Sequence, residues 1–114
     1  MRGVFSKGVN KYHAKKVTFN GIKFDSKHEM ERYVELTLME KAKAIQDLKT
    51  QVAFPLIPKS KYGREIKYVC DFTYYENGKL VVEDAKSSIT KANRVYKLKK
   101  RLLAEKYDIV IKET

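Results

Sequence analysis

The residues of this chain that are best suited to chemistry are two aspartates, Asp71 and Asp84, and a lysine, Lys86. Carboxylate oxygens are the ligands that hard divalent cations such as Mg²⁺ prefer, and an ammonium group nearby stabilises negative charge on a phosphate. Together, the three side chains would form the basis of a metal-assisted phosphodiester hydrolase. Whether they meet depends on the strands that carry them.

A hairpin predicted around Asn77-Gly78 brings the two aspartates together. The Asn-Gly pair favours a two-residue type I′ loop, which fixes the strand register and places Asp71 opposite Asp84. At such a non-hydrogen-bonded pair the Cα atoms approach to about 4.5 Å, so two like charges repel. Lys86 projects from the same face as Asp84, because side chains alternate along a strand. A bound divalent cation is the simplest compensation for this repulsion.

Glu29 is a candidate for a third carboxylate. The stretch Ser26-Lys27-His28-Glu29 has the pattern of a capping box, in which Ser26 and Glu29 each bond to the other's backbone amide. The same position, in the first turn of a helix, also suits a metal ligand. The residues alone leave both roles open.

The charge of the chain predicts a polyanionic partner. Its 114 residues include 25 Lys and Arg against 14 Asp and Glu, a net charge of +11. Residues 1–24 contain no acid, and residues 86–107 contain a single one, Glu105. The alternative for the second stretch is a solvated helix face. The candidate DNA-contacting residues are Lys11, Lys15, Lys16, Lys91, Arg94, Lys97, Lys100 and Arg101.

Several classes of protein are disfavoured by what the sequence lacks. It has no apolar run of about 18 residues and no signal-peptide pattern, so we expect a cytoplasmic protein without a membrane partner. Glycine-rich phosphate-binding motifs are missing, so we expect no nucleotide cofactor. A lone cysteine, Cys70, cannot form an internal disulfide.

The order of elements predicts an α/β fold. After a basic arm over residues 1–16, a single domain over 17–114 begins with a hairpin around Asn20-Gly21. A helix then runs from Ser26 to about Ala44, followed by a strand over 48–57 and the aspartate hairpin. The buried stripe predicted for this first helix comprises Met30, Tyr33, Val34, Leu38, Ala42 and Ile45.

A second helix, capped by Thr90, is predicted to lead to a last strand over residues 109–111. A right-handed crossover would make this strand parallel to the one that bears Asp84. The core order is therefore α-β-β-β-α-β, a mixed sheet flanked by helices. The apolar stripe predicted for the second helix comprises Val95, Leu98, Leu102 and Tyr107.

These residues resemble the signature of the PD-(D/E)XK nuclease superfamily, which has a restriction-endonuclease-like core of the same element order. The matching positions are Glu29 in the first helix, Asp71 in a strand and Asp84-Ala85-Lys86 in the next strand. From about residue 10 to residue 114, the chain is also similar to a small phage and prophage branch, catalogued as domain of unknown function 1064. The stretches that carry this likeness are Asn10-Lys11-Tyr12, Asn20–Lys27, Tyr68–Phe72 and Leu80–Lys86.

The resemblance implies an Mg²⁺-dependent DNA endonuclease in which Mn²⁺ can substitute. By analogy, Asp71, Asp84, the carbonyl of Ala85 and Glu29 would bind the metal, and Lys86 would orient or help deprotonate the attacking water. This favours Glu29 as a ligand and leaves its capping role compatible. The expected setting is phage recombination or DNA processing, with duplex or branched DNA, including Holliday junctions, as substrate and a homodimer as the active form.

Two other classes remain open. A non-catalytic nucleic-acid-binding module would use its acids structurally and bind DNA with a steep salt dependence but no need for Mg²⁺. An inhibitor or assembly protein would reuse the nuclease fold without its activity. Retention of both Asp71 and Asp84 on one face argues against either, because a protein freed from metal binding would gain stability by replacing one.

Overall fold

The computed structural model describes residues 16–86 and 88–114. The predicted basic arm, with Lys11 and Lys15, therefore lies outside the described residues apart from Lys16. The elements are β1 (Val17–Phe19), β2 (Ile22–Phe24), α1 (Lys27–Lys41), β3 (Gln46–Ile57), β4 (Ile66–Glu76), β5 (Lys79–Asp84), α2 (Ser88–Ala92), α3 (Arg94–Tyr107) and β6 (Lys112–Glu113).

The strands form one small and one larger sheet. Strands β1 and β2 pair with each other, and the four-stranded sheet has the order β3-β4-β5-β6. The β3–β4 and β4–β5 pairs are antiparallel, whereas β5 and β6 are parallel. The predicted α/β class and the parallel last strand are confirmed, and the architecture is compatible with a restriction-endonuclease-like core. No helix in the described ranges is long and apolar enough to cross a bilayer.

Both predicted Asn-Gly turns are present. Asn20 and Gly21 have φ values of 54° and 76°, and Asn77 and Gly78 have 54° and 77°. Positive φ at both central residues is the requirement of a type I′ turn, which Asn and Gly meet at low cost. The second turn pairs Glu76 with Lys79, and the ladder continues in that register to Phe72 and Glu83.

Helix α1 starts where the sequence predicts, ends at Lys41 rather than near Ala44, and turns only part of the predicted stripe to the core. Ser26 is its N-cap, with its side chain accepting a hydrogen bond from the backbone of Glu29. Leu36 is fully buried, whereas Leu38 is 60% exposed and Ala42 is exposed. The predicted stripe is confirmed in part, since Ile45 is fully buried and Met30 and Tyr33 pack against the core. It was wrong at Leu38 and Ala42 because the helix buries Glu29, and a polar residue is invisible to an apolar pattern.

The predicted second helix is two helices. Helix α2 ends at Ala92, and Asn93, not Thr90, caps α3 by accepting from the backbone of Tyr96. The break between α2 and α3 changes which residues of α3 face the sheet, so the apolar stripe predicted for a single helix was wrong in part. Tyr96 and Leu103 are buried, Leu102 and Tyr107 pack beside the core, and Val95 and Leu98 are 60% and 58% exposed.

The last strand lies later than predicted. Asp108 adopts a left-handed conformation that ends α3, so residues 109–111 carry the chain back to the sheet. Strand β6 is Lys112–Glu113, and Val110 is 86% exposed. Ile111 is buried, which explains why the apolar pattern pointed to this segment.

The helices cover opposite faces of the sheet. The α3-side cluster comprises Leu56, Tyr68, Cys70, Val82, Tyr96, Leu103 and Ile111. The α1-side cluster comprises Phe24, Leu36, Ile45, Phe72 and Tyr74. On β5, Val82 belongs to the α3-side cluster and its neighbour Val81 packs against the α1-side cluster, as expected for alternating side chains.

Strand β4 does not keep this alternation. Tyr68 and Cys70 belong to the α3-side cluster, whereas Phe72 and Tyr74 belong to the α1-side cluster. Uninterrupted alternation would place all four on one face. The phase of the strand therefore reverses between Cys70 and Phe72, at Asp71.

Two leucines of α1 test the observed packing. Truncating fully buried Leu36 to Ala should lower the free energy of unfolding by about 2–5 kcal/mol, because it leaves a cavity. Leu38→Ala is the matched control and should cost less than about 1 kcal/mol, because Leu38 is 60% exposed. Urea unfolding followed by circular dichroism measures both. A larger loss of stability in Leu38→Ala than in Leu36→Ala would show that the helix packs on the sheet through the face of Leu38, contrary to the structure.

Candidate functional site

The site is centred on the predicted pair of aspartates, which the structure brings together at the end of β5. The backbone N–H of Asp71 donates to Oδ1 of Asp84 over 2.8 Å, and the N–H of Ala85 donates to Oδ2 of Asp71 over 2.8 Å. Asp71 is 5% exposed and Asp84 is fully buried. The backbone pairing of β4 with β5 ends at Phe72 and Glu83, and beyond it these two bonds join the chains through aspartate side chains.

Strand β3 carries an irregularity directly across from Asp71. Thr50 of β3 lies opposite Phe72 of β4, and Val52 lies opposite Cys70, so Gln51 lies opposite Asp71. Gln51 has φ 54°, a left-handed conformation that costs a non-glycine residue on the order of 1 kcal/mol. This conformation lies at the same level as the phase reversal in β4, so the two strands change phase together.

Lys86 reaches the acid pair as predicted. Its Nζ lies 3.6 Å from Oδ1 of Asp84 and 3.9 Å from Oδ2 of Asp71. The lysine side chain is 20% exposed, and its ammonium lies 6.0 Å from the centre of the Tyr96 ring. The lysine side chain is thus more exposed than the two acids beside it.

Glu29 is buried beside this group and is also held by the helix start. It is 2% exposed, and its backbone N–H donates to Oγ of Ser26 over 3.1 Å. Its carboxylate does not return a bond to Ser26, as a full capping box would. It accepts instead from the backbone N–H of Asp25 over 3.2 Å and from Nε2 of Gln51 over 3.1 Å.

The three carboxylates share one electrostatic environment. Burial raises the pKa of Asp71 to about 7; Asp84 and Glu29 add to the rise, and Lys86 opposes it. Burial likewise raises the pKa of Asp84, against the hydrogen bond from Tyr68 and the charge of Lys86. Burial also raises the pKa of Glu29. One ammonium does not balance three carboxylates, so the site favours either protons or an added cation.

The residues fit a hard cation in their chemistry. Mg²⁺ is held by one or two carboxylates together with water and phosphate oxygens, so Asp71 and Asp84 supply a sufficient protein ligand set. Within residues 16–86 and 88–114, no group of three or more His, Cys, Asp or Glu side chains is arranged as a ready metal site. Glu29 is the third acid nearby, and its oxygens face Asp25 and Gln51.

Two tyrosines that the sequence did not single out hold Asp84 in place. The hydroxyl of Tyr68 donates to Oδ2 of Asp84. Tyr96 packs on Tyr68, with ring centres 6.2 Å apart, and donates to Oε2 of Glu113 over 2.5 Å. Alternation predicts that Tyr68 faces away from Asp71, so only the phase reversal reveals its role.

A buried ion pair fastens α1 to β5 on the other face of the sheet. Arg32 donates to both carboxylate oxygens of Glu83, over 2.5 Å and 3.0 Å, and the hydroxyl of Tyr74 donates to Oε1 over 2.6 Å. Burial acts to raise the pKa of Glu83, but these hydrogen bonds outweigh it and leave the pKa lowered. Because Arg32 lies one turn after Glu29, the clamp also positions Glu29.

The predicted DNA-contacting cations have different surroundings. Lys16, Lys91, Arg94, Lys97 and Arg101 are exposed. Lys100 instead pairs with Glu113 over 3.1 Å and lies 5.4 Å from the centre of the Tyr96 ring. The charge of Lys100 is therefore partly neutralised by Glu113.

The raised pKa of Asp71 predicts a pH-dependent effect of Asp71→Asn on the metal-free protein. A carboxyl whose pKa is higher folded than unfolded holds its proton more tightly in the fold, so its contribution to stability is lost as pH rises from about 4 to about 7. Asp71→Asn removes this loss. In EDTA it should raise the free energy of unfolding by about 1–3 kcal/mol at pH 8 relative to wild type, and far less at pH 5.

Thermal and urea unfolding at both pH values provide the measurement, and exposed Glu65→Gln is the matched control. An Asp71→Asn effect of the same size at pH 5 and pH 8 would contradict the raised pKa.

Comparison with known proteins yielded one family. The model of the family described as "Protein of unknown function (DUF1064)" matches residues 9–113. No curated protein and no solved structure matched the chain.

Proposed function

We propose that this chain, which belongs to the DUF1064 family, is a metal-dependent DNA endonuclease that hydrolyses phosphodiester bonds. The observation that carries the proposal is the buried pair Asp71 and Asp84 with Lys86 within 4 Å of both. Paired buried carboxylates destabilise a sheet unless something balances them, so a functional use accounts for their presence. The likeness of Glu29, Asp71, Asp84 and Lys86 to the PD-(D/E)XK signature supports the same conclusion.

Asp71 and Asp84 are the residues that would hold Mg²⁺ or Mn²⁺, with the carbonyl of Ala85 and the carboxylate of Glu29 as further ligands. When bound, the cation stabilises negative charge on the phosphate and lowers the pKa of a coordinated water. Lys86, whose ammonium lies beside both aspartates, would orient the attacking water and add positive charge beside the scissile phosphate. Tyr68 keeps the Asp84 carboxylate in one orientation.

DNA is the proposed polymer because of the charge of the chain. The net charge of +11 favours a polyanion, and the exposed cations of α2 and α3 follow Lys86 directly in the chain. A homodimer would present two such sites to the two strands of a symmetric duplex or junction. Branched DNA in phage recombination is the setting that the family resemblance favours.

A non-catalytic DNA-binding module is the second candidate. It is favoured by the position of Glu29, whose carboxylate is engaged by Asp25 and Gln51. In that case the acids would be structural and Lys86 their permanent counter-ion.

A cleavage assay separates the two candidates. Labelled duplex, single strand, flap and four-way junction are incubated with wild type in Mg²⁺ or in EDTA. We expect cutting only with Mg²⁺, and a loss of at least about 100-fold in Asp84→Asn and Lys86→Ala, because each removes charge from the reacting centre. Lys79→Ala, an exposed lysine of the same hairpin, is the control and should cut like wild type. Robust cutting by both site variants would rule out this site.

Metal binding is tested without activity. Mg²⁺ at ten times its dissociation constant should raise the free energy of unfolding by about 1.4 kcal/mol, because it binds the folded state alone. Asp84→Asn should lose this gain, and Lys79→Ala should keep it. Thermal unfolding at rising Mg²⁺ concentration provides the measurement, and equal shifts in wild type and Asp84→Asn would place the metal elsewhere.

A further inference from the structure

The loop between β3 and β4 ends in a closed turn that presents a tyrosine. Ser60 and Gly63 form an antiparallel bridge, with N···O distances of 3.0 Å and 3.2 Å. The turn that this bridge closes contains two residues, Lys61 and Tyr62. Oγ of Ser60 also accepts from the backbone N–H of Tyr62 over 3.1 Å. These three bonds fix the backbone on which Tyr62 stands.

This turn is the tip of a two-stranded ribbon that extends past the rest of the sheet. Strand β4 pairs with β5 only from Phe72 onward, whereas it pairs with β3 back to Ile66. The C-terminal end of α3 braces the ribbon, because the hydroxyl of Tyr107 donates to the carbonyl of Pro55 over 2.6 Å and its ring contacts Phe54. A braced ribbon presents its tip at a fixed place.

The side chains at the tip combine an exposed aromatic ring with positive charge. Tyr62 is 88% exposed, the highest value among the large hydrophobic side chains of the described residues. Nζ of Lys61 lies 5.2 Å from the centre of the Tyr62 ring. The other charged residues nearby are Lys59, Arg64, Glu65 and Lys67, all exposed. Burying the ring of Tyr62 therefore requires a partner, and the surplus of cations favours an anionic one.

We infer that Tyr62 stacks on an unpaired base of the DNA substrate while Lys59, Lys61 and Arg64 contact the adjacent phosphates. Aromatic rings flanked by cations are the usual means of binding single-stranded nucleic acid. The faces of bases in an intact duplex are covered by their neighbours, so the ring can stack only where the duplex is interrupted. The inference rests on the proposed function for its DNA partner and assigns a substrate class: DNA with an unpaired base or a branch.

The tip and the acid pair are far enough apart to contact separate parts of one DNA molecule. Strand β4 rises about 3.4 Å per residue, so Asp71 lies about 17 Å from Ile66 and the tip lies further out. At about 3.4 Å per base pair, this separation corresponds to at least about five base pairs of duplex. The tip would thus hold the interruption while the acid pair engages a phosphate in the adjoining arm.

Binding by the full chain in EDTA tests the inference without cleavage. Fluorescence anisotropy compares a labelled four-way junction, a single strand and a continuous duplex. Tyr62→Ala should weaken binding to the junction and the single strand by about 5- to 150-fold, because base–aromatic stacking contributes about 1–3 kcal/mol. Binding to the duplex should change by less than about twofold. Tyr62→Phe, which keeps the ring, should bind like wild type.

Tyr75→Ala is the matched control, because Tyr75 is 41% exposed beside the opposite turn of the sheet. It should leave all three affinities as in wild type, with folding checked by thermal unfolding. A 2-aminopurine base placed at the branch point provides a second readout. Its fluorescence should be quenched on binding of wild type and Tyr62→Phe, but not of Tyr62→Ala.

The outcomes separate this inference from the proposed activity. Unchanged junction binding in Tyr62→Ala, or an equal loss on duplex and junction, overturns the stacking site. Absence of DNA binding by wild type overturns both proposals. Tyr62-dependent junction binding without Mg²⁺-dependent cutting supports the stacking site and overturns the endonuclease.

Discussion

The structure around the candidate site depends on one pair of hydrogen bonds, in which the backbone amides of Asp71 and Ala85 donate to the carboxylates of Asp84 and Asp71. Each bond removes a backbone donor from the regular ladder and uses it to orient an acid. The ladder would otherwise satisfy these amides with carbonyl groups, and the acids would be free to turn apart. The acid pair is therefore a part of the sheet itself, and any change in strand register would separate it.

The surroundings of the pair show how such a costly arrangement is maintained. The Arg32–Glu83 ion pair fixes α1 against β5, and Tyr68 and Lys86 satisfy Asp84 from two directions. A buried ion pair adds little net stability, but it requires one relative placement of the two elements. Placement is what the site needs, because α1 carries Glu29, whose charge acts on Asp71.

The sequence predicts the parts of this structure that local rules determine. Asn-Gly fixes both hairpins, and through the second one the meeting of Asp71, Asp84 and Lys86 follows by counting along the strands. The left-handed backbone at Gln51 has no such rule, because glutamine rarely adopts positive φ and does so here only through tertiary context. The phase reversal and the role of Tyr68 were therefore missed. The helix stripes were misread for a related reason, since a buried Glu29 and a cap at Asn93 interrupt the apolar pattern.

The irregular course of β3 also determines how the molecule can associate with others. Strand β3 forms an outer edge of the sheet and is 12 residues long, a length that invites pairing with a strand of another molecule. Left-handed residues at Asp47 and Gln51, register shifts near both ends and Pro55 interrupt its outward row of amides and carbonyls. Such interruptions protect an edge from aggregation. Two copies of the chain would consequently not pair through β3.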